Sequence, residues 1–225
     1  MPLAEGRTKK KPRRTVAARR AVGSGGDIRL AKNLDQTLAG NSATKWILCP
    51  WIERFPGETG IWLSVLAAHD INEGLLEALP ASNRTWPRVY AGVFAVDTLR
   101  QTAQLIRQFK SAGIAGVINF PSTTFIDGEA ATVLAGLSLG IDREIGFLQA
   151  CAKEGLGIAG VTNSPEAAHL LVKLGVDFLV AHGGPPTRNN LDPSLSAAKQ
   201  VERIARARNI PVIPMSRVGC LNECG

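Results

Sequence analysis

Polar side chains stand at or just after the ends of several apolar runs in this 225-residue sequence. They include Asp97, Asn119, Asn163 and His182, the last followed by Gly183-Gly184. A carboxylate, two carboxamides and an imidazole can hold an anion, bind a divalent metal or exchange a proton near neutral pH. The histidine is the most informative of them, because a histidine directly after a buried strand has few structural reasons to be there.

Two further candidates lie in longer connections. Arg54 follows the first apolar run, and Asp127-Gly128 lies within the long connection from Phe120 to Asp142. Long loops in compact domains are often lids or binding loops, so this connection predicts a cover over a small anionic substrate. Each candidate also has a structural interpretation, since Asp97 can cap a helix and Asp-Gly is an ordinary turn dipeptide.

Six short apolar runs predict the strands that would position these residues. The runs are Trp46–Cys49, Val89–Phe94, Ala115–Phe120, Ile158–Thr162, Asp177–Ala181 and Ile210–Met215. They are apolar at successive positions, which is typical of parallel strands covered by helices on both faces. In such folds functional groups gather at the carboxyl ends of the strands, where most of the candidates fall.

Helical patterns separate the runs and carry start and stop signals. Ser164-Pro165 is a strong start and Gly175 a matching stop, whereas Asp97 and Asp142 are predicted to open two other helices. Further helices are predicted from His69 to Leu79 and from Asp192 to Arg208. Apolar residues at helical spacing also predict a short helix from Ile28 to Leu38.

The alternation of strands and helices predicts an α/β fold with parallel crossovers, of the TIM (β/α)8 barrel type. Only about six βα units are recognisable, so an incomplete barrel also fits. A doubly wound sheet is less well supported, because no glycine-rich phosphate-binding turn follows the first predicted strand. We expect one barrel domain over residues 27–225, preceded by a disordered tail over residues 1–26.

The net charge of +7 belongs to the tail. The first twenty residues hold eight basic side chains and one acidic one, so the remaining chain is neutral. A neutral body with 5% aromatic residues argues against a dedicated nucleic-acid surface, which leaves the tail as the one segment able to bind a polyanion. A solvated tail without a partner is the alternative that we favour.

Cysteine content and hydropathy indicate a cytoplasmic protein that does not enter membranes. No apolar run reaches 18 residues and the basic N-terminus lacks the apolar core of a secretory signal, so the four cysteines are expected to be reduced. Cys220 and Cys224 have no second pair at metal-ligand spacing, which disfavours a zinc site.

The segment Gly116–Ser122, together with Ile126–Gly128, resembles the hallmark of a TIM-barrel signal transduction family. Its members are labelled phosphoenolpyruvate hydrolase-like or phosphonopyruvate hydrolase-like, and tomato mosaic virus resistance proteins share the domain. The resemblance covers roughly residues 45–215. The further matches are Arg54-Phe55, Asp70, Asn72, Ala91-Gly92-Val93, Asp97, Arg100, Glu144, Gly175, Asp177, Ala181, His182 and Gly184.

The resemblance implies a hydrolase or lyase that acts on a small anionic keto or enol acid with a phospho or phosphono group, at the carboxyl end of the barrel. From their positions at the strand ends, the catalytic residues would be His182 as general acid or base, Asp97 as base or ligand of a divalent metal such as Mg²⁺, and Asn119. The substrate would be bound by Arg54, Asp127, Gly128, Asn163 and Gly184. A homo-oligomer is expected.

The sequence also departs from the family pattern. Val133-Leu134-Ala135 stands where members carry acidic residues, and the basic tail stands where they have a glycine-rich first strand. These departures leave open a second interpretation, a non-catalytic barrel that senses a ligand or binds a protein.

Overall fold

The computed structural model describes residues 27–39, 41–53, 64–66, 69–79, 84–182, 193–215 and 219–220. Within them the strands are β1 (Ile28–Ala31), β2 (Lys45–Leu48), β3 (Trp86–Gly92), β4 (Ile114–Ile118), β5 (Gly157–Thr162), β6 (Leu179–Ala181), β7 (Val212–Pro214) and β8 (Gly219–Cys220). The helices are α1 (Ile71–Glu77), α2 (Thr102–Ser111), α3 (Gly128–Gly136), α4 (Ile141–Lys153), α5 (Pro165–Leu174) and α6 (Pro193–Arg206). Three short 3-10 helices lie at Asp35–Leu38, Pro50–Glu53 and Thr123–Phe125.

All strands are parallel and follow the order β7-β6-β5-β4-β3-β2-β1-β8. The strands β7 and β8 pair with opposite edges of the sheet, one with β6 and the other with β1. Only four residues separate them, which is too few for the crossover that joins neighbouring parallel strands. The seven strands β1–β7, with the two-residue β8 beside β1, therefore form a nearly closed barrel, and the predicted TIM-type α/β barrel is confirmed.

The six predicted strands correspond to β2 through β7, and the prediction for Ile28–Leu38 was wrong. Residues Ile28–Ala31 form strand β1, and a 3-10 helix covers only Asp35–Leu38. The apolar residues of this segment fit either spacing, and the structure selects the strand because β1 gains ladders to both β2 and β8. A first strand is thus present directly after the tail, which lies outside the described residues.

The apolar core has two layers. One fills the barrel interior and includes Ile47, Ile118, Phe120, Phe178 and Val180. The other lies between the sheet and the surrounding helices. Phe178, just before β6, and Val180 within it both face the interior, so a side chain two positions later also faces inward, at the carboxyl end of the strand. That position is His182.

The connection from Phe120 to Asp142 was expected to be a loop, and instead it contains helix α3 as well as a 3-10 helix. None of the nine residues of α3 is buried. By contrast, helix α5 follows its sequence signals closely: Ser164 Oγ accepts a hydrogen bond from the Ala167 amide, and Gly175 ends the helix at φ 82°.

None of the helices in the described part of the chain has the length and apolar composition needed to cross a bilayer.

Candidate functional site

The carboxyl end of β4 is held by a buried carboxylate. Glu144, in the first turn of α4, is 1% exposed and accepts four hydrogen bonds. Its Oε1 accepts from the Thr123 amide at 2.6 Å and from Thr123 Oγ1 at 2.7 Å. Its Oε2 accepts from Asn119 Nδ2 at 2.5 Å and from Ser122 Oγ at 2.8 Å. One side chain of a helix therefore fixes the whole turn from Asn119 to Thr123.

Asn119 connects this turn to the neighbouring strand. Its Oδ1 accepts from the Val161 amide at 2.9 Å, and its Nδ2 lies 3.3 Å from the Val161 carbonyl oxygen. With Glu144 on one side and β5 on the other, both ends of the carboxamide are engaged by the protein. Asn119, which the sequence indicated as catalytic, thus holds the ends of β4 and β5 together.

Burial raises the pKa of Glu144, and the hydrogen bonds from Asn119, Thr123 and Ser122 oppose that rise. Both protonation states fit the surrounding groups, since the hydroxyls of Ser122 and Thr123 can donate to a carboxylate or accept from a carboxylic acid. The sequence did contain a signal for this residue. Glu144 shares the buried face of α4 with Phe147, Leu148 and Cys151, and an acid at that spacing needs buried partners.

His182 follows β6 at the carboxyl end of the barrel and is 8% exposed. Its backbone amide donates to the Thr162 carbonyl oxygen at 2.9 Å, which continues the ladder between β5 and β6. Burial lowers the pKa of the imidazole to about 4. At neutral pH the ring is uncharged, with one nitrogen as a donor and the other as an acceptor.

A row of aromatic rings joins His182 to the turn that Glu144 holds. The ring centroids of His182 and Phe125 are 4.5 Å apart. Those of Phe125 and Phe120 are 6.5 Å apart, and those of Phe120 and Trp51 are 5.2 Å apart. Phe125 belongs to the 3-10 helix that begins at Thr123, so Glu144 and His182 act on the same segment from two sides. No local pattern of residues predicts this aromatic row.

Asp97 lies in the connection after β3 and is occupied by the protein itself. Its Oδ1 accepts from the amides of Leu99 and Arg100 at 2.6 and 3.2 Å. Its Oδ2 accepts from Asn72 Nδ2 at 2.7 Å and from Arg100 Nη1 at 3.2 Å. Asp97 was expected to cap the following helix, but α2 begins later, after Gln101, and Leu99 in the intervening segment is 76% exposed.

The donor set around Asp97 does not fit a magnesium ion. Four donors already engage the carboxylate, and one of them is the Arg100 guanidinium, which also pairs with Asp70 at 2.8 Å and with Glu73. Over the residues that the structure describes, no three His, Cys, Asp or Glu side chains are grouped as a metal site requires. Arg100 and Asn72 instead hold the Asp97 carboxylate in place after the end of β3.

The remaining candidates are dispersed around this end of the barrel. Asp127 is the N-cap residue of α3, and Gly128 follows it at φ 62°, with both exposed. Asn163 follows β5 and is half-buried; within the described chain nothing donates to its Oδ1. Arg54 and Gly184 lie outside the described residues, so their predicted roles stay predictions.

The comparisons with known proteins agree with the resemblance. A sequence model of the phosphoenolpyruvate hydrolase-like family matches residues 59–210. The chain is 34% identical over 135 residues to "Uncharacterized protein y4oT" of Sinorhizobium fredii, which covers 60% of this chain and 69% of that protein. It is 31% identical over 103 residues to the ToMV resistance protein Tm-1(GCR237) of Solanum lycopersicum, over 46% of this chain. That match spans 14% of the tomato protein. On this evidence the chain belongs to the phosphoenolpyruvate hydrolase-like family.

Proposed function

We propose that this protein hydrolyses a small keto or enol acid that carries a phospho or phosphono group, with phosphoenolpyruvate and phosphonopyruvate as the first substrates to test. The observation that carries the proposal is His182: an uncharged imidazole at the carboxyl end of β6, against a loop segment that a buried glutamate holds in place. In parallel barrels, reacting groups lie at this end of the strands.

In the proposed reaction, water adds to phosphorus and the bond from phosphorus to the enol oxygen or to carbon breaks. The neutral His182 accepts the proton of the attacking water, and a proton returns to the departing enolate, which gives pyruvate and inorganic phosphate. An anionic substrate beside the ring raises the pKa of His182 from its low value in the free protein, because an opposite charge favours the imidazolium. Binding therefore makes the imidazole a stronger base at the moment it is needed.

The anionic groups of the substrate need positive partners. Arg100 is engaged by three carboxylates, so it is not available to a ligand. Arg54 remains the proposed cation for the phosphoryl or carboxylate group, supported by its match to the family pattern. Backbone amides near Gly128 and Gly184, with the Asn163 side chain, complete the proposed partners of the anionic groups, and the proposed contact of Asp127 is to a hydrogen-bond donor of the substrate.

The test is turnover by the purified full chain. Release of pyruvate and inorganic phosphate is measured with phosphoenolpyruvate and with phosphonopyruvate, for the wild type, His182→Gln and His169→Gln. His169 is an exposed histidine on α5 and serves as the matched control. We expect the first variant to lose about 10²- to 10⁴-fold in kcat, the range for loss of a general base, and the control to retain its activity. Equal turnover by the wild type and His182→Gln would refute the role of His182.

A second function is supported by one observation. The Asp97 carboxylate, expected to act as a base, is saturated by structural hydrogen bonds. This favours a barrel that binds the same acids without consuming them. Calorimetric titration with phosphoenolpyruvate separates the two functions: binding without phosphate release supports the binding barrel, and release supports the enzyme.

A further inference from the structure

Helix α3 has the composition of a buried helix, yet none of its residues is buried and only Ala131 and Leu134 are half-buried. Glu129 is its only charged residue, and the rest are Gly, Ala, Thr, Val and Leu. Val133 is 60% exposed, and Leu137, which directly follows the helix, is 64% exposed. A short helix that is apolar around its whole circumference normally packs against other protein.

The same molecule has an unfilled groove on its outer surface between α2 and α4. The groove has a volume of about 870 Å³, and its lining extends from Thr102 to Ser111 on one side and from Ala150 to Glu154 on the other. The exposed Ala103 and the half-buried Ala150 supply apolar surface, and the buried Ile106 lies at the base of the groove. The lining along α2 is about 14 Å long and the nine residues of α3 span about 13 Å, so the groove and the helix match in length.

Charge also matches between helix and groove. Asp127 and Glu129 lie exposed at the start of α3. Along the groove, Lys110 pairs with Glu154 at 3.0 Å, and no carboxylate of the described residues pairs with Arg107 or Lys153. An acidic helix start and a basic groove rim favour contact with each other and disfavour the pairing of either surface with itself.

The helix cannot be in its own groove in this structure, because no residue of α3 is among those that line the groove. The start of α3 and the α4 side of the groove lie at opposite ends of the barrel. The turn that leads into α3 is tied to Glu144 in the first turn of α4, whereas the groove is lined by the last residues of α4. In a parallel barrel the helices run against the strands, so α3 lies at the carboxyl end of the barrel and the α4 side of the groove at the amino end.

We propose that two copies of this chain form a symmetric dimer in which helix α3 of each copy occupies the groove between α2 and α4 of the other. A two-fold axis perpendicular to the barrel axis places the carboxyl end of one barrel beside the amino end of its partner, so both contacts form at once. Such an interface is closed and self-complementary.

The test begins with the oligomeric state of the full chain, measured by light scattering and by sedimentation over a dilution series. The wild type is expected to be a dimer. Val133→Glu combined with Leu137→Glu should raise the dimer dissociation constant at least about 30-fold, the range for loss of a central interface contact. Leu38→Glu, at a leucine that is 50% exposed elsewhere, is the control and should leave the constant unchanged. Circular dichroism verifies that all variants are folded.

Charge reversal and mixing test the groove itself. Lys153→Glu should weaken the dimer by up to about fivefold, and adding Glu129→Lys should restore it. Ala103→Trp places a large side chain in the groove and should therefore abolish the homodimer. That variant still has an intact α3, so mixing it with the Val133→Glu, Leu137→Glu variant should give a heterodimer with one of the two contacts.

Three results would overturn the proposal. They are a monomeric wild type at every concentration, a dimer unaffected by the α3 substitutions, and a mixture of the two variants that stays monomeric. The last result would show that an intact α3 of one copy does not bind an intact groove of another.

Discussion

At the scale of single residues, the site depends on two buried titratable groups with different tasks. Glu144 positions a turn, and His182 faces the end of the barrel interior. The sequence indicated His182 from its place after a strand, because strand ends in parallel barrels collect functional groups. It did not indicate Ser122 or Thr123 as partners of Glu144, since contacts between residues more than twenty positions apart leave no local pattern.

Substituting Glu144 by Gln should destabilise the protein by about 2 to 3 kcal/mol, although the shape is conserved. Each carboxylate oxygen accepts from one fixed N–H donor, the Thr123 amide or the Asn119 carboxamide, so an NH2 group at either place faces another donor. Chemical denaturation measures the loss. Glu154→Gln, which removes an exposed ion pair with Lys110, is the matched control and should cost at most about 1 kcal/mol. A loss no larger than the control's would contradict the proposed role of Glu144.

His182 should make the protein less stable in weak acid. Its pKa is about 4 in the folded protein and 6.5 in the unfolded chain, so the unfolded state binds more protons between these values. The stabilising contribution is present above pH 6.5 and is lost as the pH falls to 4, by about 3 kcal/mol. Glu144 acts in the opposite sense, because a raised pKa gives a contribution that is lost as the pH rises.

The difference in unfolding free energy between the wild type and His182→Gln, followed from pH 7 to pH 4, isolates the histidine. We expect the wild-type advantage to shrink over this range, and the exposed His169→Gln variant is measured alongside as the control. A constant difference for His182→Gln would show that the ring is not held uncharged by burial.

At the scale of elements, prediction succeeded where local signals and tertiary packing agree. Helix α5 has an N-cap serine, a proline in the first turn and a glycine at its end, and all three act as expected. Strand β1 was mistaken for a helix because four residues give too short a pattern to decide, and its ladder partners come from distant parts of the chain. Helix α3 was missed because it has neither a buried face nor the periodicity that such a face produces.

The end of β3 has no room for a Cβ atom at Gly92. A Cβ atom at Gly92 would lie 2.5 Å from Cys49 Sγ and 3.1 Å from the carbonyl oxygens of Leu48 and Phe120. Gly92→Ala should therefore cost about 1 to 3 kcal/mol of stability, since it overpacks the junction of three strands. Gly74→Ala, inside α1 with nothing within 4 Å, is the control and should stabilise by up to about 1 kcal/mol. Thermal unfolding measures both, and a neutral Gly92→Ala would contradict the close packing.

At the scale of the whole molecule, the barrel type was predictable because alternating apolar runs and capped helices occupy most of the chain. The number of strands was not, since β1 and β8 are recognised only through their pairing. The net charge was also predictable from the sequence. The first twenty residues account for the net charge of +7, and they precede β1, which begins at Ile28.

Deleting residues 1–20 should leave the melting temperature of the barrel unchanged within about one degree, because the deleted segment lies ahead of the first strand and is expected to be solvated. The same deletion should remove any affinity for DNA or heparin, which is measured at low salt by fluorescence anisotropy. Affinity that persists after the deletion would require a basic face on the barrel that the neutral charge of residues 21–225 does not predict.

The pairing of β8 with β1 also has a consequence for synthesis on the ribosome. Strand β1 emerges early, but its second neighbour, Gly219–Cys220, is translated about 190 residues later. At roughly 5 to 20 residues per second, one edge of the nascent sheet stays open for about 10 to 40 s. During that interval the amide and carbonyl groups of β1 can pair with other extended chains, so this edge of the growing sheet is vulnerable to aggregation until β8 is released.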